Sequence, residues 1–288
     1  MQNNKVRYSR FIRDLNITDA ENDFLVGQSI KDETGEIFLT QEVINVFLNR
    51  YIHERNITTH KFGYHLPDYI ASANAGWLYA LKNTYELPAA NPASVSPAQG
   101  ELLKAILANI SAKTVVEIGS YLGISTLWLA AGMASSNAGG KLFAIDTFVP
   151  KFPWPPFHYA CVVDPKSLVA KTIDSAGFAD FVHLIESDSK TAAMNFNSWL
   201  GQDEIDLLFI DGDHTIEGCK ADFELFAARV AVGGYIILHD IFPEFCGHEG
   251  PRFVIDHLLN NNRHQYQVIE MVTAPHNFGI AIIRKLQQ

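Results

Sequence analysis

The C-terminal two thirds of the chain alternate between short apolar runs and stretches whose apolar residues recur at helical spacing. The runs are TVVEI, KLFAID, FVHLIE, IDLLFID and YIILHD, which are rich in β-branched and other apolar residues. Strands that alternate with helices in this way predict a parallel sheet whose central strands are buried on both faces. The last two runs, YQVIEMV and FGIAIIRK, are separated by a short connection, which predicts an antiparallel hairpin.

The first ninety or so residues have a mixed pattern. It predicts an amphipathic helix at Thr40–Tyr51 behind a threonine cap, and a second helix at Pro67–Tyr85 with an apolar stripe. The pattern leaves open whether these helices cover a substrate cleft, form a dimer contact or pack on the sheet. The segment ELPAANPASVSPAQG is typical of a linker, and a helix restarts at Pro97. We therefore expect an N-terminal helical extension, residues 1–92, and a larger domain, residues 93–288.

The stretch TVVEIGSYLG predicts a buried strand that ends in a tight turn at Gly119 and Gly123, directly before a helix. Free N–H groups at a helix N-terminus favour an anionic or carboxylate-bearing ligand. The pattern E-x-G-x-x-x-G is a weak signal by itself, and the spacings typical of a phosphate loop or a dinucleotide site are absent. About 20 residues further on, the strand KLFAID ends in Asp146, where a doubly wound sheet places the carboxylate that holds a ribose.

Two further strands end in acids and histidines: Asp211 and His214 follow one, and His239 and Asp240 end the other. Carboxylates brought together at neighbouring strand ends repel each other unless a proton or a cation compensates them, so a divalent metal site is a reasonable prediction. Consecutive strand residues point to opposite faces, so His239 and Asp240 can reach one ion only if the strand has already ended. Asp211 and Asp240 are therefore better candidate ligands than His239.

With these motifs in place, residues 114–240 resemble a class I S-adenosylmethionine-dependent methyltransferase. The blocks SVSPAQGELL, VVEIGSYLGIST, LFAIDTF, HLIESDS, IDLLFIDGDHTIEG and VGGYIILHDIF are most similar to the metal-dependent O-methyltransferases of the catechol, caffeoyl-CoA and macrolide-sugar type. The resemblance extends from Ser94 to the C-terminus and leaves the first ninety residues unmatched. It implies a Rossmann-like, doubly wound α/β sheet of seven strands, mostly parallel with the last strand antiparallel.

The resemblance also implies S-adenosylmethionine as cofactor. Glu117 would bind its methionine amine, Asp146 its ribose hydroxyls, and Ser187 or Asp188 its adenine, while Gln99 either borders the cofactor or belongs to a plain linker. The cofactor-binding positions that it implies are Glu117, Gly119, Ser120, Tyr121, Gly123, Asp146, Thr147, Ser187, Asp188 and Asp211.

The metal ligands that the resemblance implies are Asp211, His239 and Asp240, although His239 stands where the family often has a carboxylate. A mixed set of oxygen and nitrogen ligands suits Mn²⁺ or Fe²⁺ as well as Mg²⁺, so the metal stays open. For the chemistry we single out Asp211 and His214, the latter as the general base that removes the hydroxyl proton. The alternative for His214 is a helix N-terminal residue that hydrogen-bonds to solvent or to Asp213.

Composition excludes several other classes. The net charge is −10 and the isoelectric point is near 5.5, which does not favour nucleic acid as a partner. Three cysteines without C-x-x-C spacing favour reduced thiols, and the chain has no apolar window long enough for a membrane span. These features predict a cytoplasmic protein with no membrane partner, and we expect a homodimer.

A proline-rich and aromatic segment, TFVPKFPWPPFHYACVVDP, follows Asp146 and predicts a long loop that either walls the acceptor pocket or packs on itself as a surface flap. The predicted function is metal-assisted O-methylation of a small hydroxylated molecule such as a sugar, a phenol or a secondary metabolite. The alternatives are a methyltransferase-fold enzyme that uses the bound cofactor for a non-methylating step such as cyclisation, and a non-catalytic cofactor-binding protein.

Overall fold

The computed structural model of the protein describes residues 5–8, 17–40, 43–44, 46–47, 64–87, 89–91, 93–150, 162–272 and 278–287. Residues 151–161, where we expect the wall of an acceptor pocket, lie outside these ranges, so that expectation stays a prediction. Most of the helix expected at Thr40–Tyr51 lies outside them too. Within it, residues 43–44 and 46–47 are helical. Thr40 is the last residue of a strand, and its hydroxyl accepts the N–H of Val43 at 3.4 Å, as the predicted cap would.

Ten strands form two sheets in the described part of the chain. They are Lys5–Arg7 (β1), Ile30–Lys31 (β2), Ile37–Thr40 (β3), Thr114–Ile118 (β4), Lys141–Asp146 (β5), Val182–Glu186 (β6), Ile205–Ile210 (β7), Val230–His239 (β8), Tyr266–Met271 (β9) and Ile280–Lys285 (β10). The large sheet has the order β6-β5-β4-β7-β8-β10-β9. Strands β4 to β8 pair in parallel, and β10 runs antiparallel to both β8 and β9. The predicted seven-stranded α/β fold and its terminal hairpin are therefore confirmed.

Alternate residues of the central strands enter two apolar cores, one on each face of the sheet. Val115 and Leu207 belong to one core, and Val116 and Leu208 to the other, all without exposed surface. This double burial explains why β4 and β7 are almost continuously apolar in sequence. The helices cover the two faces and leave the carboxyl ends of the strands at one edge, which is where ligands bind in open sheets of this kind.

The helices alternate with the strands as the pattern predicts. They are Asp19–Gly27, Asp68–Ala71, Gly76–Tyr85, Pro97–Ile110, Ile124–Ser136, Pro165–Ser175, Ser189–Met194, Phe196–Trp199, Ile216–Ala227, Pro243–Cys246 and Gly250–Phe253, followed by a π-helical segment, Val254–Leu259, and a 3₁₀ turn, Asn260–Asn262. Among the described residues, no helix has both the length and the apolar character that a bilayer span requires.

Strand β8 differs from the predicted strand at its N-terminal end. The helix before it ends at Ala227, and the strand begins at Val230 and runs through Gly233 and Gly234 into the predicted run YIILHD. Its pairing with β7 shifts between Ile205 and Leu207, and Gly233 has a φ of 89°. The glycines therefore form a bulge within a longer strand, because a residue at positive φ without a side chain can kink a strand without ending it.

The N-terminal extension contains a small antiparallel sheet of order β1-β3-β2 that the sequence pattern did not predict. Its strands have only two to four residues, too few to show a period. The helix expected at Pro67–Tyr85 is two helices, because the chain is interrupted before Gly76, which has a φ of 65°. The second helix packs on Trp128, whose Nε1 donates a hydrogen bond of 2.9 Å to the hydroxyl of Tyr85. The division at residues 92 and 93 stays a prediction.

Candidate active site

The turn after β4 is shaped by two glycines. The N–H of Gly119 donates to the carbonyl of Ile145 at 2.9 Å, and its φ is 90°. A Cβ at this position would lie 2.1 Å from the carbonyl oxygen of Asp211, so only glycine fits between the ends of β4 and β7. Gly123, with a φ of 83°, precedes the helix Ile124–Ser136 and has no side chain to cap it. The first-turn N–H groups of this helix are thus oriented toward the sheet edge where an anionic group can bind.

The carboxylate of Asp146 at the end of β5 is held by main-chain donors. Its Oδ2 accepts the N–H of Tyr121 at 2.8 Å, and its Oδ1 accepts the N–H of Phe148 at 2.6 Å. Both donors have positive φ values, 51° and 43°. The turns after β4 and β5 are thus tied to each other through Asp146, whose orientation is fixed by the backbone. Thr147, the next residue, is exposed.

Glu117 lies within β4 and has no exposed surface. Its Oε2 accepts a hydrogen bond of 2.5 Å from the hydroxyl of Thr126, which lies 2.8 Å from that of Ser120. Its Oε1 is buried and accepts no hydrogen bond among the described residues. Burial raises the pKa of Glu117 to about 8. Thr126 was not among the predicted site residues, because a small polar residue within an otherwise apolar helix is the only feature of the sequence that could have indicated it.

The turn after β6 carries Ser187 and Asp188. The N–H of Ser187 donates to the carbonyl of Asp146 at 3.0 Å, which places this turn beside the turn after β5. The side chain of Asp188 accepts the N–H and the hydroxyl of Thr191 at 2.7 and 2.8 Å, and these hydrogen bonds lower the pKa of the exposed carboxyl. Asp188 is therefore the helix cap, and Ser189 is the first helical residue.

Four side chains from the ends of β7 and β8 meet in one group, which we call the acid–histidine cluster: Asp211, His214, His239 and Asp240. One potential ligand atom of each lies within 4.8 Å of those of the other three. Nε2 of His214 is 3.2 Å from an oxygen of Asp211 and of Asp240. Nδ1 of His239 is 3.1 Å from Oδ1 of Asp211 and 2.9 Å from Oδ1 of Asp240.

The backbone of Asp240 explains how two consecutive residues reach the same cluster. Strand β8 ends at His239, and Asp240 adopts a left-handed conformation with a φ of 58° while its N–H donates to the carbonyl of Gly279 at 3.1 Å. Aspartate is one of the few residues other than glycine that tolerates this region. The strand has therefore ended at the point that a shared site requires.

The charges of the cluster are strongly coupled. Burial opposes the charged form of every member, but the opposite charges outweigh it. The pKa of His214 rises to about 10 because its ring hydrogen-bonds to Asp211 and Asp240, and the pKa of His239 rises well above its usual value through the negative charge of the same two carboxylates. The pKa values of Asp211 and Asp240 are correspondingly lowered, mainly by the charge of His239. These shifts favour the ionised form of both acids, which requires a positive charge beside them.

The part of the chain that forms this site is similar to known proteins. The model of a family described as a methyltransferase domain matches residues 116–241, which begin in β4 and end directly after Asp240. This part of the chain is therefore similar to a methyltransferase domain. The glycine turn, Asp146 and the whole acid–histidine cluster lie within the matched residues.

The chain is also similar to a catechol O-methyltransferase from Niastella koreensis, which is 26% identical over 147 residues. The match covers 51% of this chain and 57% of that protein, so the chain spans little more than half the length of this curated relative. Among solved structures, an O-methyltransferase from Bacillus cereus in complex with SAH is 18% identical, with a TM-score of 0.56 over 84% of this chain and 99% of that one. The O-methyltransferase TomG from Streptomyces achromogenes, in complex with SAM, is 16% identical, with a TM-score of 0.55 over 86% and 100%. At these identities the solved structures show a shared fold.

Gln99 joins the acid–histidine cluster from a distant part of the chain. Its side chain belongs to the cap of the helix Pro97–Ile110, where Oε1 accepts the N–H of Ser96 at 3.0 Å. The same Oε1 lies 2.9 Å from Nε2 of His239. The structure therefore does not support the interpretation of Gln99 as part of a plain linker. The next residue, Gly100, packs on Trp128, where a Cβ would lie 2.1 Å from Nε1.

His214 is the most exposed member of the cluster, with 22% of its side chain accessible. Its ring stacks on that of His248 with centroids 4.6 Å apart. A surface depression of about 580 Å³ is bordered by both histidines and by Asp213, Glu217 and Glu249. Asp213 itself turns away from the cluster, because its Oδ1 accepts the N–H of Thr215 at 2.9 Å. His214 therefore pairs with Asp211 and Asp240, and not with Asp213.

Proposed function

We propose that the protein is an S-adenosylmethionine-dependent O-methyltransferase that methylates a hydroxyl group of a small molecule. One observation carries the proposal: the glycine turn after β4 packs against the backbone of Asp211, whose side chain belongs to the acid–histidine cluster. A cofactor at the turn and an acceptor at the cluster would therefore be neighbours. Methyl transfer from a sulfonium to a hydroxyl is a direct displacement, so the two partners must be held next to each other.

In this proposal the strand ends of β4, β5 and β6 hold the cofactor. Asp146 would accept the ribose hydroxyls, because its carboxylate is already oriented by two N–H groups and its oxygens can accept further donors. The buried Oε1 of Glu117 has no donor among the described residues, and the cationic amine of the methionine moiety would supply one. The remaining proposed positions lie in the same turns: Ser120, Tyr121, Gly123, Thr147, Ser187 and Asp188.

The acid–histidine cluster fits a divalent cation, which Asp211, His239 and Asp240 would hold. The support is the buried Oδ1 of Asp240, which lies 2.9 Å from Nδ1 of His239 and accepts no hydrogen bond among the described residues. A buried, ionised oxygen without a donor is costly unless a cation satisfies it. A divalent ion in this place would lower the pKa of the acceptor hydroxyl.

His214 is the proposed general base. Its ring is the most exposed of the cluster and borders the surface depression, from which an acceptor would approach. The carboxylates of Asp211 and Asp240 both stabilise the protonated form of His214. The imidazole can therefore accept a proton from the acceptor only when another cation compensates these carboxylates. The base and a cation in the cluster therefore depend on each other in this proposal.

The acceptor class is small hydroxylated molecules, with sugars, phenols and secondary-metabolite scaffolds as the first to test. The relative from Niastella koreensis is named a catechol O-methyltransferase, and TomG is described as involved in tomaymycin synthesis, which supports a small acceptor. A homodimer, a cytoplasmic location and a covering role of residues 1–92 are the narrower predictions that accompany this proposal.

Label transfer tests the proposed reaction. The purified protein is incubated with S-adenosylmethionine that carries an isotopically labelled methyl group and with a panel of sugars, catechols and other phenols, and the products are analysed by mass spectrometry. We expect one labelled methyl group in the accepted compound. Turnover of an acceptor without label would instead favour a non-methylating reaction.

Calorimetry with S-adenosylhomocysteine tests the cofactor site separately from the acceptor. We expect Asp146→Ala to weaken binding by roughly 10- to 100-fold, since hydrogen bonds to a charged group contribute about 1.5–3 kcal/mol. Asp174→Ala removes an exposed carboxylate elsewhere on the domain and serves as the matched control. A wild-type protein that binds no adenosyl ligand would disprove the proposed function.

A further inference from the structure

His239 is engaged at both ring nitrogens, although its neighbours on the two sides are chemically different. Nδ1 faces the carboxylates of Asp211 and Asp240 at 3.1 and 2.9 Å. Nε2 lies 2.9 Å from the amide oxygen of Gln99, a residue 140 positions away in sequence. His239 and Gln99 are 4% and 1% exposed, so water does not compete for these contacts.

The capping interaction of Gln99 fixes which nitrogen of His239 carries a proton. A backbone N–H can only donate, so the atom of Gln99 that faces Ser96 N at 3.0 Å must be the amide oxygen. The backbone N–H of Gln99 donates back to the hydroxyl of Ser96 at 3.3 Å, which closes the capping box at the start of the helix. Because this same oxygen faces Nε2, His239 must donate from Nε2.

A neutral imidazole that is protonated at Nε2 carries its lone pair on Nδ1. That lone pair points into a buried space shared with Oδ1 of Asp211 and Oδ1 of Asp240. A second proton on Nδ1 can be donated well to one of these oxygens at a time, and Oδ1 of Asp240 indeed accepts no hydrogen bond among the described residues. A metal ion would bind all three atoms at once.

We infer that Gln99 is a positioning residue that presents Nδ1 of His239 to the cluster, and that the cluster consequently takes a first-row transition-metal ion in preference to Mg²⁺. This inference rests on the divalent site proposed above and goes beyond it in naming the class of ion and the residue that selects it. Imidazole nitrogens suit transition metals, whereas Mg²⁺ prefers oxygen ligands and water. With His214 at 3.2 Å from both carboxylates, the cluster offers up to two nitrogen donors. A ligating histidine that donates its other N–H to a carbonyl is a common arrangement in metal sites.

Cobalt(II) absorption tests the inference without any assay of activity. The protein, stripped of metal, is titrated with Co²⁺ alone and followed in the visible range, and Mg²⁺ is then added as competitor. We expect one bound Co²⁺ with bands of mixed nitrogen and oxygen ligation that persist in excess Mg²⁺. Gln99→Leu removes the acceptor for Nε2 and should weaken Co²⁺ binding by about 10- to 100-fold, the usual effect of losing such a partner. Gln99→Glu keeps an acceptor oxygen and should restore most of the affinity.

Ser96→Ala is the matched control, because it removes one hydrogen bond of the same cap without touching the contact between Gln99 and His239. It should lower the melting temperature and leave Co²⁺ affinity nearly unchanged. Wild-type affinity in Gln99→Leu, or displacement of Co²⁺ by an equal concentration of Mg²⁺, would overturn the inference while the divalent site stands. Binding of neither ion by a protein that binds S-adenosylhomocysteine would overturn the divalent site and the inference with it. In that case two-bond ¹⁵N couplings should show His239 protonated at both nitrogens.

Discussion

The edge at the carboxyl ends of the strands has two halves, one at β4 and β5 and the other at β7 and β8, and they hold their carboxylates in different ways. Asp146, at the end of β5, is held by the N–H groups of Tyr121 and Phe148. Asp211 and Asp240, at the ends of β7 and β8, are held by the side chains of two histidines. Main-chain donors are fixed by the fold and do not ionise, whereas imidazoles gain and lose protons.

Because of this difference, the two halves have different proposed roles. In the β4–β5 half, the orientation of the Asp146 carboxylate is set by N–H groups that do not ionise, as a binding site for a large cofactor needs. The β7–β8 half contains ionised acids whose positive partners can be protons or a metal ion. It is therefore the half in which charge can change during a reaction, and substitutions should separate the two functions.

The largest effect is expected for Asp211→Asn, which preserves the shape of the side chain and removes its charge. Activity should fall by at least about 100-fold, since a bound cation contributes several kcal/mol to such a reaction, and affinity for the divalent ion should fall with it. Affinity for S-adenosylhomocysteine should fall far less than activity, because Asp211 is only one of the expected cofactor-binding positions. Asp213→Asn, in the same turn but outside the cluster, is the matched control and should retain activity. Equal losses in both variants would argue against the separation.

Gly119→Ala should damage both halves, because this residue lies where they touch. The new Cβ would meet the carbonyl oxygen of Asp211 at 2.1 Å, and alanine is also strained at a φ of 90°. We expect a loss of about 2–4 kcal/mol in the free energy of unfolding, measured by urea denaturation, together with weaker cofactor binding. Gly233→Ala has nearly the same φ, 89°, but open space around it. It isolates the backbone strain and should cost less than half as much.

The smallest effect is expected for Glu117→Gln, and it should appear mainly as a change in pH dependence. Burial raises the pKa of Glu117 to about 8, so the folded protein keeps a proton that the unfolded chain releases above its ordinary value of 4.5. The contribution of this proton to stability is complete below about pH 4.5 and is lost as pH rises toward 8. The wild-type protein should therefore lose stability over this window by up to about 1.4 kcal/mol per pH unit relative to the glutamine variant.

Urea denaturation at intervals between pH 5 and 8 checks this prediction, and the variant should resemble the wild-type protein most closely at the acid end. Parallel stability curves for the two proteins would show that Glu117 is ionised throughout the window. Saturating S-adenosylhomocysteine should reduce the difference, because the amine of the ligand would favour the ionised carboxylate.

The arrangement of the large sheet could be predicted from the sequence because its signals are local. Each of β4, β5 and β7 is a short apolar run between turns, and their order follows from the alternation with helices. The small N-terminal sheet could not be predicted, since strands as short as Ile30–Lys31 show no period. The extension of β8 through Gly233 and Gly234 could not be predicted, because a bulge and a turn use the same residue type.

The sequence predicted which residues at the ends of strands lie close together in the candidate site, since parallel strands bring those ends to one edge. Asp211, His214, His239 and Asp240 do come together, although their roles stay predictions. The place of Gln99 followed from no local pattern. Its contact with His239 depends on how a helix cap 140 residues away packs onto the sheet, which is a tertiary property.

The left-handed backbone at Asp240 limits which substitutions the acid–histidine cluster can accept. Position 240 accepts few residue types other than aspartate, asparagine and glycine without distortion, whereas His239 is the last residue of an ordinary extended strand. Mutation can therefore exchange a nitrogen ligand for an oxygen ligand at 239 with the backbone intact, but has little freedom at its neighbour. Natural variants with a new ion preference should accordingly carry their change at 239.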